Sequence, residues 1–431
     1  MTGDDQAALW HAEDRRAKRR AEVTPTGDLS SCTAARGKRG VDVHPYRLAH
    51  GERTMSAAVE PGLSPPHTAE EVTAYVVEAA IWAPSVHNTQ PWRFTAEGSE
   101  ITLRADAGRR LAVADPSGRE MMMSCGAALL NAKLAFRSLG YIPETRVLPN
   151  PADPLLVARL RWRRQAAPTA AEEQLYSQVT RRRTHRGGFE PLPPPPGLIE
   201  ALRRDAAGYD AALRIAITDE AQAALAAITE MAERVEHLDS AYASELAAWA
   251  PPPGSRRLDG VPASAYPARP ELSRPYFPGR DFARGHGWGL PLSTRISAAR
   301  YTGVVCLLTT LADEPDSWVS AGQALQRILL TSTAYGVAAA LHSQPVEISW
   351  LREAIRAQLG DSSYPQLVLR LGTVIQDAIS IRRPVPSVLT ASMSAWPRRE
   401  RTLPGASPVA PTSVCHGGRP GTEHRFKLPG R

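Results

Sequence analysis

Two long apolar stretches, "REMMMSCGAALLNAKLAFRSLG" (119–140) and "DSWVSAGQALQRILLTSTAYG" (316–336), constrain this chain more than anything else in it. Each is predicted to be a helix that ends at a glycine. Aligning Gly126 with Gly322, an offset of 196, also aligns Ala128 with Ala324, Leu129 with Leu325, Leu134 with Leu330 and Gly140 with Gly336. The glycine-to-glycine spacing is 14 in both. Self-similarity at a fixed offset points to one duplicated structural unit. The plainer alternative is that two apolar helices with C-terminal glycines align by chance.

Around these helices strands and helices mix without strict alternation, which predicts an α+β fold rather than a doubly wound sheet. Thr68 can cap a helix "AEEVTAYVVEAAIWA" that has acids in its first turn and Pro84 after its end. Strands are predicted by apolar alternation and runs at 100–106, 155–162, 213–218, 303–310 and 365–372. Residues 1–65 are polar and rich in charge, Gly and Pro, and are expected to be disordered, with Met55 a more natural start of the folded part. The basic tail 390–431 is read the same way. The Pro-rich segment 251–288 is an insertion expected to act as a lid.

Composition narrows the function classes. The 431 residues are 43% apolar and 22% charged, as in soluble globular proteins. No apolar run reaches the roughly 20 residues of a membrane span, and the N-terminus shows no signal peptide. Cys32, Cys125, Cys306 and Cys415 form no C-x-x-C pair, which argues against a disulfide framework or a cysteine metal site and fits the cytoplasm. The net charge of +7 comes from the flanks. Residues 1–55 carry ten Lys and Arg against eight Asp and Glu, and residues 390–431 carry seven against two. The body is neutral, so a nucleic-acid partner is not expected.

Three stretches carry chemistry. "APSVHNTQPWRF" (83–94) places many side-chain hydrogen-bonding groups beside one tryptophan. "RRRTHRGGF" (181–189) sets Arg182, Thr184 and Arg186 on alternate positions, a spacing suited to clamping a phosphate with forked, permanently charged donors. "ISIRRPVPSVL" (379–389) ends the folded region with Arg382 and Arg383. His87 is read as a surface turn histidine and Met121–Met123 as core filler.

Together with "DPSGREMMMSCGAALLNA", "LHSQPVE" and "PQLVLRLG", these stretches resemble the nitroreductase superfamily over residues 68–389, and most of all its Acg-like branch. The resemblance implies two fused nitroreductase-like subdomains, 66–175 and 176–389, with mainly antiparallel central sheets packed by long helices. It implies bound FMN. Arg182, Thr184 and Arg186 would hold the phosphate, with Arg382 or Arg383 completing the grip. Ser85, Asn88 and Gln90 would bond flavin or ribityl oxygens, and Trp92 would form a packing wall. The implied activity is hydride transfer from NAD(P)H through the flavin to a nitroaromatic, quinone or similar small acceptor, with no catalytic side chain and no metal. The alternative is a flavin-sequestering protein without turnover. The "HNTQPW" stretch belongs to the first half and the R-x-T-x-R stretch to the second, each without a second copy. One site per chain is therefore expected, for which a monomer would suffice.

Overall fold

The computed structural model describes residues 68–266, 273–282, 301–374 and 379–390. The two tails expected to be disordered, Met55 and part of the 251–288 insertion lie outside those residues, apart from Thr390 at the edge of the second tail.

The chain runs α1 (Ala69–Ala80), β1 (Trp92–Glu97), β2 (Glu100–Ala105), α2 (Arg119–Ser138), β3 (Tyr141–Val147), β4 (Leu156–Gln165), α3 (Ala170–Gln178) and β5 (Thr184–His185). It continues through α4 (Leu198–Ala207), β6 (Ala211–Ile215), α5 (Asp219–Leu238), α6 (Ser240–Ala248) and β7 (Val304–Thr310). The last elements are α7 (Pro315–Ala334), β8 (Ala338–His342), α8 (Gln344–Glu347), α9 (Ser349–Leu359), β9 (Tyr364–Gly372) and β10 (Leu389–Thr390). Thr68 caps α1 as predicted, and the structure completes a capping box: its hydroxyl accepts from the Glu71 N–H at 3.1 Å, and the Glu71 carboxylate accepts from the Thr68 N–H at 3.1 Å.

The two sheets share a strand order. One sheet has the order β10-β1-β2-β4-β3 and the other β5-β8-β9-β7-β6. Read from the opposite end, the second contains β6-β7-β9-β8, the counterpart of β1-β2-β4-β3. All three pairings within each quartet are antiparallel. The short outer strands differ. β10 crosses from the end of the chain to lie parallel to β1, and β5 lies parallel to β8.

The two long helices cross at the glycines that align in sequence. A Cβ on Gly126 would stand 2.2 Å from the Val319 carbonyl oxygen, and one on Gly322 would stand 2.0 Å from that of Met123. Val319 follows Met123 by the same 196 positions. The contact is thus reciprocal about a pseudo-two-fold axis, and backbone meets backbone there because neither helix carries a side chain. Farther along, Gln326 donates to Asn131 at 2.7 Å in the buried interface, and Asn131 donates to the Ala79 carbonyl at the end of α1 at 3.1 Å.

The halves differ in what covers them. β7 and β9 are buried on both faces. Leu308, Leu367 and Leu369 pack with Ile328 of α7, while Val305, Leu307 and Val368 pack with Leu225 of α5 and Ile355 of α9. The first sheet buries Phe94, Ile101, Leu103 and Leu160 on one face and leaves Arg93, Thr95, Arg159, Arg161 and Arg163 exposed on the other. This is the alternation of an antiparallel sheet with one wet face. The extra cover on the second sheet contributes Glu233 of α5 and Gln344 of α8 to the lining of a large cavity.

Candidate functional site

α1 ends at Ile81, and Pro84 prevents its continuation. The loop that follows turns tightly: His87, Asn88 and Gln90 have φ of 47°, 53° and 51°. Left-handed backbone at three side-chain-bearing residues is unfavourable and persists only where the surroundings hold it. Here the holders can be named. The Gln90 N–H donates to the Ser85 hydroxyl at 2.9 Å. The Asn88 amide donates to the carbonyls of Gly260 at 2.9 Å and Ile381 at 3.2 Å. The Gln90 amide donates to the Leu258 carbonyl at 2.8 Å and accepts from the Arg383 N–H at 2.8 Å. Arg109 reaches the Thr89 carbonyl at 2.6 Å and pairs with Asp259. The amides of this loop therefore staple two distant segments, 258–260 and 381–383, onto the end of α1.

The arginines gather on the other side of the same helix end. Arg182 donates to the Trp82 carbonyl at 3.3 Å and the Thr184 hydroxyl at 3.4 Å. Arg382 donates to the carbonyls of Trp82 at 3.3 Å and Ala83 at 3.1 Å, and to the Asn88 side-chain oxygen at 3.0 Å. The free carbonyls of a helix C-terminus carry partial negative charge and suit cations. The Trp82 ring adds to this, with Arg183 at 4.8 Å and Arg382 at 5.6 Å from its centroid.

These contacts do not neutralise the cluster. Arg182 and Arg382 are 2% and 6% exposed, and the Nε of each has no partner. Among the described residues no carboxylate lies in ion-pair reach of Arg182, Arg186 or Arg382. Burial first, then Arg183 and Arg186, pushes Arg182 down to about 9. Burial and the charges of Arg182, Arg183 and Arg186 push Arg382 well below the ordinary arginine value. A guanidinium holds its proton tenaciously, so an anion is what would relieve this cluster.

Two adjoining cavities meet here. A small one of about 30 Å³ is lined by Ser85, Asn88, Thr184, Arg186 and Arg382. A larger one of about 660 Å³ shares Ser85, Thr184 and Arg186 and extends to Glu120, Tyr276 and His342. Of the residues singled out in sequence, Gln90, Trp92, Arg182 and Arg383 line neither. Trp92 is fully buried in β1, with its indole N–H unpartnered. Arg383 is partly exposed and donates to the Ser387 carbonyl at 2.7 Å.

The structure also shows groups the sequence did not disclose. His87 is 6% exposed rather than a surface residue; it meets Phe282 edge-on at 5.3 Å and lines the large cavity. Its burial, with Arg280 and Arg186 nearby, holds the imidazole well below its usual pKa and therefore neutral. Trp82, the shared support of the arginines, was missed because its carbonyl acts and not its ring alone. Glu120, Glu233 and Arg280 on the far wall come from three separate regions, and no local spacing marks them. Among the described residues no helix is long and apolar enough to cross a membrane, and no group of His, Cys, Asp and Glu is arranged to hold a metal ion.

No family model matches the chain. Curated relatives do. "Putative NAD(P)H nitroreductase Rv3131" of Mycobacterium tuberculosis (strain ATCC 25618 / H37Rv) is 33% identical over 330 residues, covering 76% of this chain and 92% of the relative. "Putative NAD(P)H nitroreductase acg" of the same strain is 30% identical over 302 residues, covering 70% and 89%. "Uncharacterized protein Rv3127" is 30% identical over 316 residues, covering 71% and 89%. Among solved structures, one described as a "putative nitroreductase" from Anabaena variabilis ATCC 29413 aligns with a TM-score of 0.33 at 11% identity, covering 70% of this chain and 73% of its own.

Proposed function

The chain belongs to the Acg-like branch of the nitroreductase superfamily, a family of oxidoreductases, and from that premise we propose that it binds FMN and carries reducing equivalents from NAD(P)H to a small nitroaromatic, quinone or similar acceptor. The observation that carries this reading is the pair of buried guanidiniums, Arg182 and Arg382, with unpartnered Nε atoms and no carboxylate beside them. A buried cation without a counter-charge is costly. A phosphate monoester supplies that charge with several acceptor oxygens.

The donor set fits the group. Arg382 and Arg186, with the Thr184 hydroxyl, would hold the phosphate at the small cavity, with Arg182 behind them. Ser85 lines both cavities and would meet the ribityl chain, while Asn88 lines the small cavity with its amide held by Gly260, Ile381 and Arg382. Gln90, Trp92 and Arg383 act at one remove: Gln90 fixes the loop, Trp92 supports it from β1, and Arg383 closes it through its backbone N–H. Bound flavin supplies the hydride chemistry, and the chain supplies position, charge and exclusion of water.

We read residues 258–266 and 276–282, the described parts of the insertion beside the cavities, as a lid. Because one chain contributes every group, a monomer suffices. The buried free thiols Cys125 and Cys306 suit a reducing cytoplasm.

Titration of the purified chain with FMN, followed by quenching of flavin fluorescence, tests the reading. Removing a charged hydrogen bond costs about 1.5–3 kcal/mol. Arg382→Ala is expected to weaken FMN by about tenfold or more, and Arg182→Ala, which acts from behind, by a smaller factor. A wild-type chain that takes up no FMN overturns it. Bound flavin that stays oxidised under excess NAD(P)H favours sequestration over turnover.

A further inference from the structure

The large cavity carries a second, acidic charge defect beside Arg280. Glu120, in the first turn of α2, and Glu233, from α5, line it. Glu236 and Glu347 are close enough behind them to influence their protonation, and Asp115 caps α2 by accepting from the Met121 N–H at 2.8 Å. Two guanidiniums answer these five carboxylates. Arg119 donates to Glu120 at 2.8 Å, and Arg280 donates to Glu236 at 3.3 Å and pairs with Glu347. Glu120 is only 3% exposed, yet its Oε2 has no hydrogen-bond partner. A buried carboxylate oxygen without a partner is a costly arrangement unless a ligand or a proton completes it.

Burial is the main cause of a raised proton affinity on this wall. Burial, followed by Glu347, pushes Glu120 well above the usual carboxylate range. Burial raises Glu233, and burial with Glu347 and Glu233 raises Glu236 to about 9. Tyr276, Phe277 and Phe282 also line the cavity, and Arg370 already stands 5.3 Å from the Phe277 ring centroid. Ring faces attract cations, and more strongly where water is excluded.

We propose that this wall is a subsite for a planar aromatic cation, a quaternary pyridinium or similar heteroaromatic, with Glu120 and Glu233 opposing the positive ring and the aromatic side chains lying against it. The subsite deepens the reading above and rests on it only in making this cation the acceptor. Binding requires neither flavin nor turnover.

The pH dependence follows from the groups facing the wall. These are Asp115 and Arg119 from α2 and its approach, Glu233 and Glu236 from α5, Glu347 from α8, Arg280 and Asp281 from the insertion, and His342 and Arg370 from the sheet, with neutral His87 opposite. Burial favours the protonated form of these acids while the wall is empty. An entering cation displaces the protons, so its affinity rises with pH and binding releases them.

The test is calorimetric titration of the full chain with N-methylquinolinium and with neutral quinoline, at about pH 6 and about pH 8.5 in buffers of different ionisation heat. The cation is expected to bind about tenfold tighter at the higher pH, with proton release and a smaller preference at the lower pH. Glu120→Gln and, independently, Glu233→Gln should each reduce that preference with the circular dichroism unchanged. Equal affinity for the two probes, or a preference that survives both substitutions, overturns the subsite. A chain that refuses FMN but prefers the cation overturns the flavin reading alone. A flavin-loaded chain without the preference overturns the subsite alone.

Discussion

Arg182 occupies a position that works against the unliganded protein. Its guanidinium is almost fully buried, its Nε is unpartnered, and Arg183 and Arg186 repel it. Its two hydrogen bonds, to the Trp82 carbonyl and the Thr184 hydroxyl, are long at 3.3 and 3.4 Å. Replacing such a group with an apolar one of similar reach removes an uncompensated charge, and exchanges of that kind are often neutral or stabilising. Arg182→Met is therefore expected to leave the ligand-free melting temperature unchanged or higher while FMN affinity falls. A structural role would lower both together. Thermal unfolding with and without FMN separates the two outcomes. The spacing of Arg182, Thr184 and Arg186 was legible because all three lie within five residues. The work of Asn88 and Gln90 was not. Their partners, Gly260, Ile381, Leu258 and Arg383, are 168 to 293 positions away, and nothing local distinguishes an amide that binds a ligand from one that binds backbone.

At the scale of the elements, the crossing of α2 and α7 is the joint of the molecule. A methyl group at Gly126 or Gly322 would penetrate the opposing backbone, at 2.2 Å from Val319 O or 2.0 Å from Met123 O. Backbone cannot swing aside as a flexible side chain can, so the helices must separate. Overpacking of this kind typically costs about 1–3 kcal/mol and occasionally more. Gly126→Ala and Gly322→Ala are expected to lose similar amounts of stability in denaturant unfolding, because the pseudo-two-fold axis places them in equivalent surroundings. A loss confined to one of them would count against that equivalence. The duplication was readable because identical geometry demanded the same small residue at the same offset. The five predicted strands appear with ends shifted by up to three residues. β5 and β10 could not be read, since two-residue strands carry no periodicity and their pairing is set by tertiary position. α5 is only weakly marked in sequence, because its buried residues, Leu225 and Ala226 among them, are spread among Ala, Gln and Glu.

For the whole molecule, two opposite charge defects lie at adjoining cavities, and the acidic one gives the ligand-free protein a pH dependence. Glu236 has a folded-state pKa of about 9, and Glu120 and Glu233 are also raised. A carboxyl raised in the fold binds its proton more tightly there than in the unfolded chain. Its favourable contribution is complete below the unfolded value of about 4.3 and is lost as pH climbs toward the folded value. The depressed base Arg182 offers no compensation in this window, because the penalty on its charged form is constant below about 9. His87 and His342, held neutral by burial, oppose this trend below the free imidazole value of about 6.5, so the ligand-free melting temperature is expected to fall between about pH 7 and about pH 8.5. Glu236→Gln should flatten that slope, because it removes the titration while keeping much of the shape. FMN acts on the other defect: at a hundredfold excess over its dissociation constant, a ligand of the native state adds about 2.7 kcal/mol. Its phosphate answers the arginines and not the acids, so FMN should raise the melting temperature at every pH and leave the downward slope in place. Melting curves at several pH values, with and without FMN and for wild type and Glu236→Gln, resolve the two effects. A slope abolished by FMN would mean that the two defects are coupled electrostatically and do not titrate as separate sites.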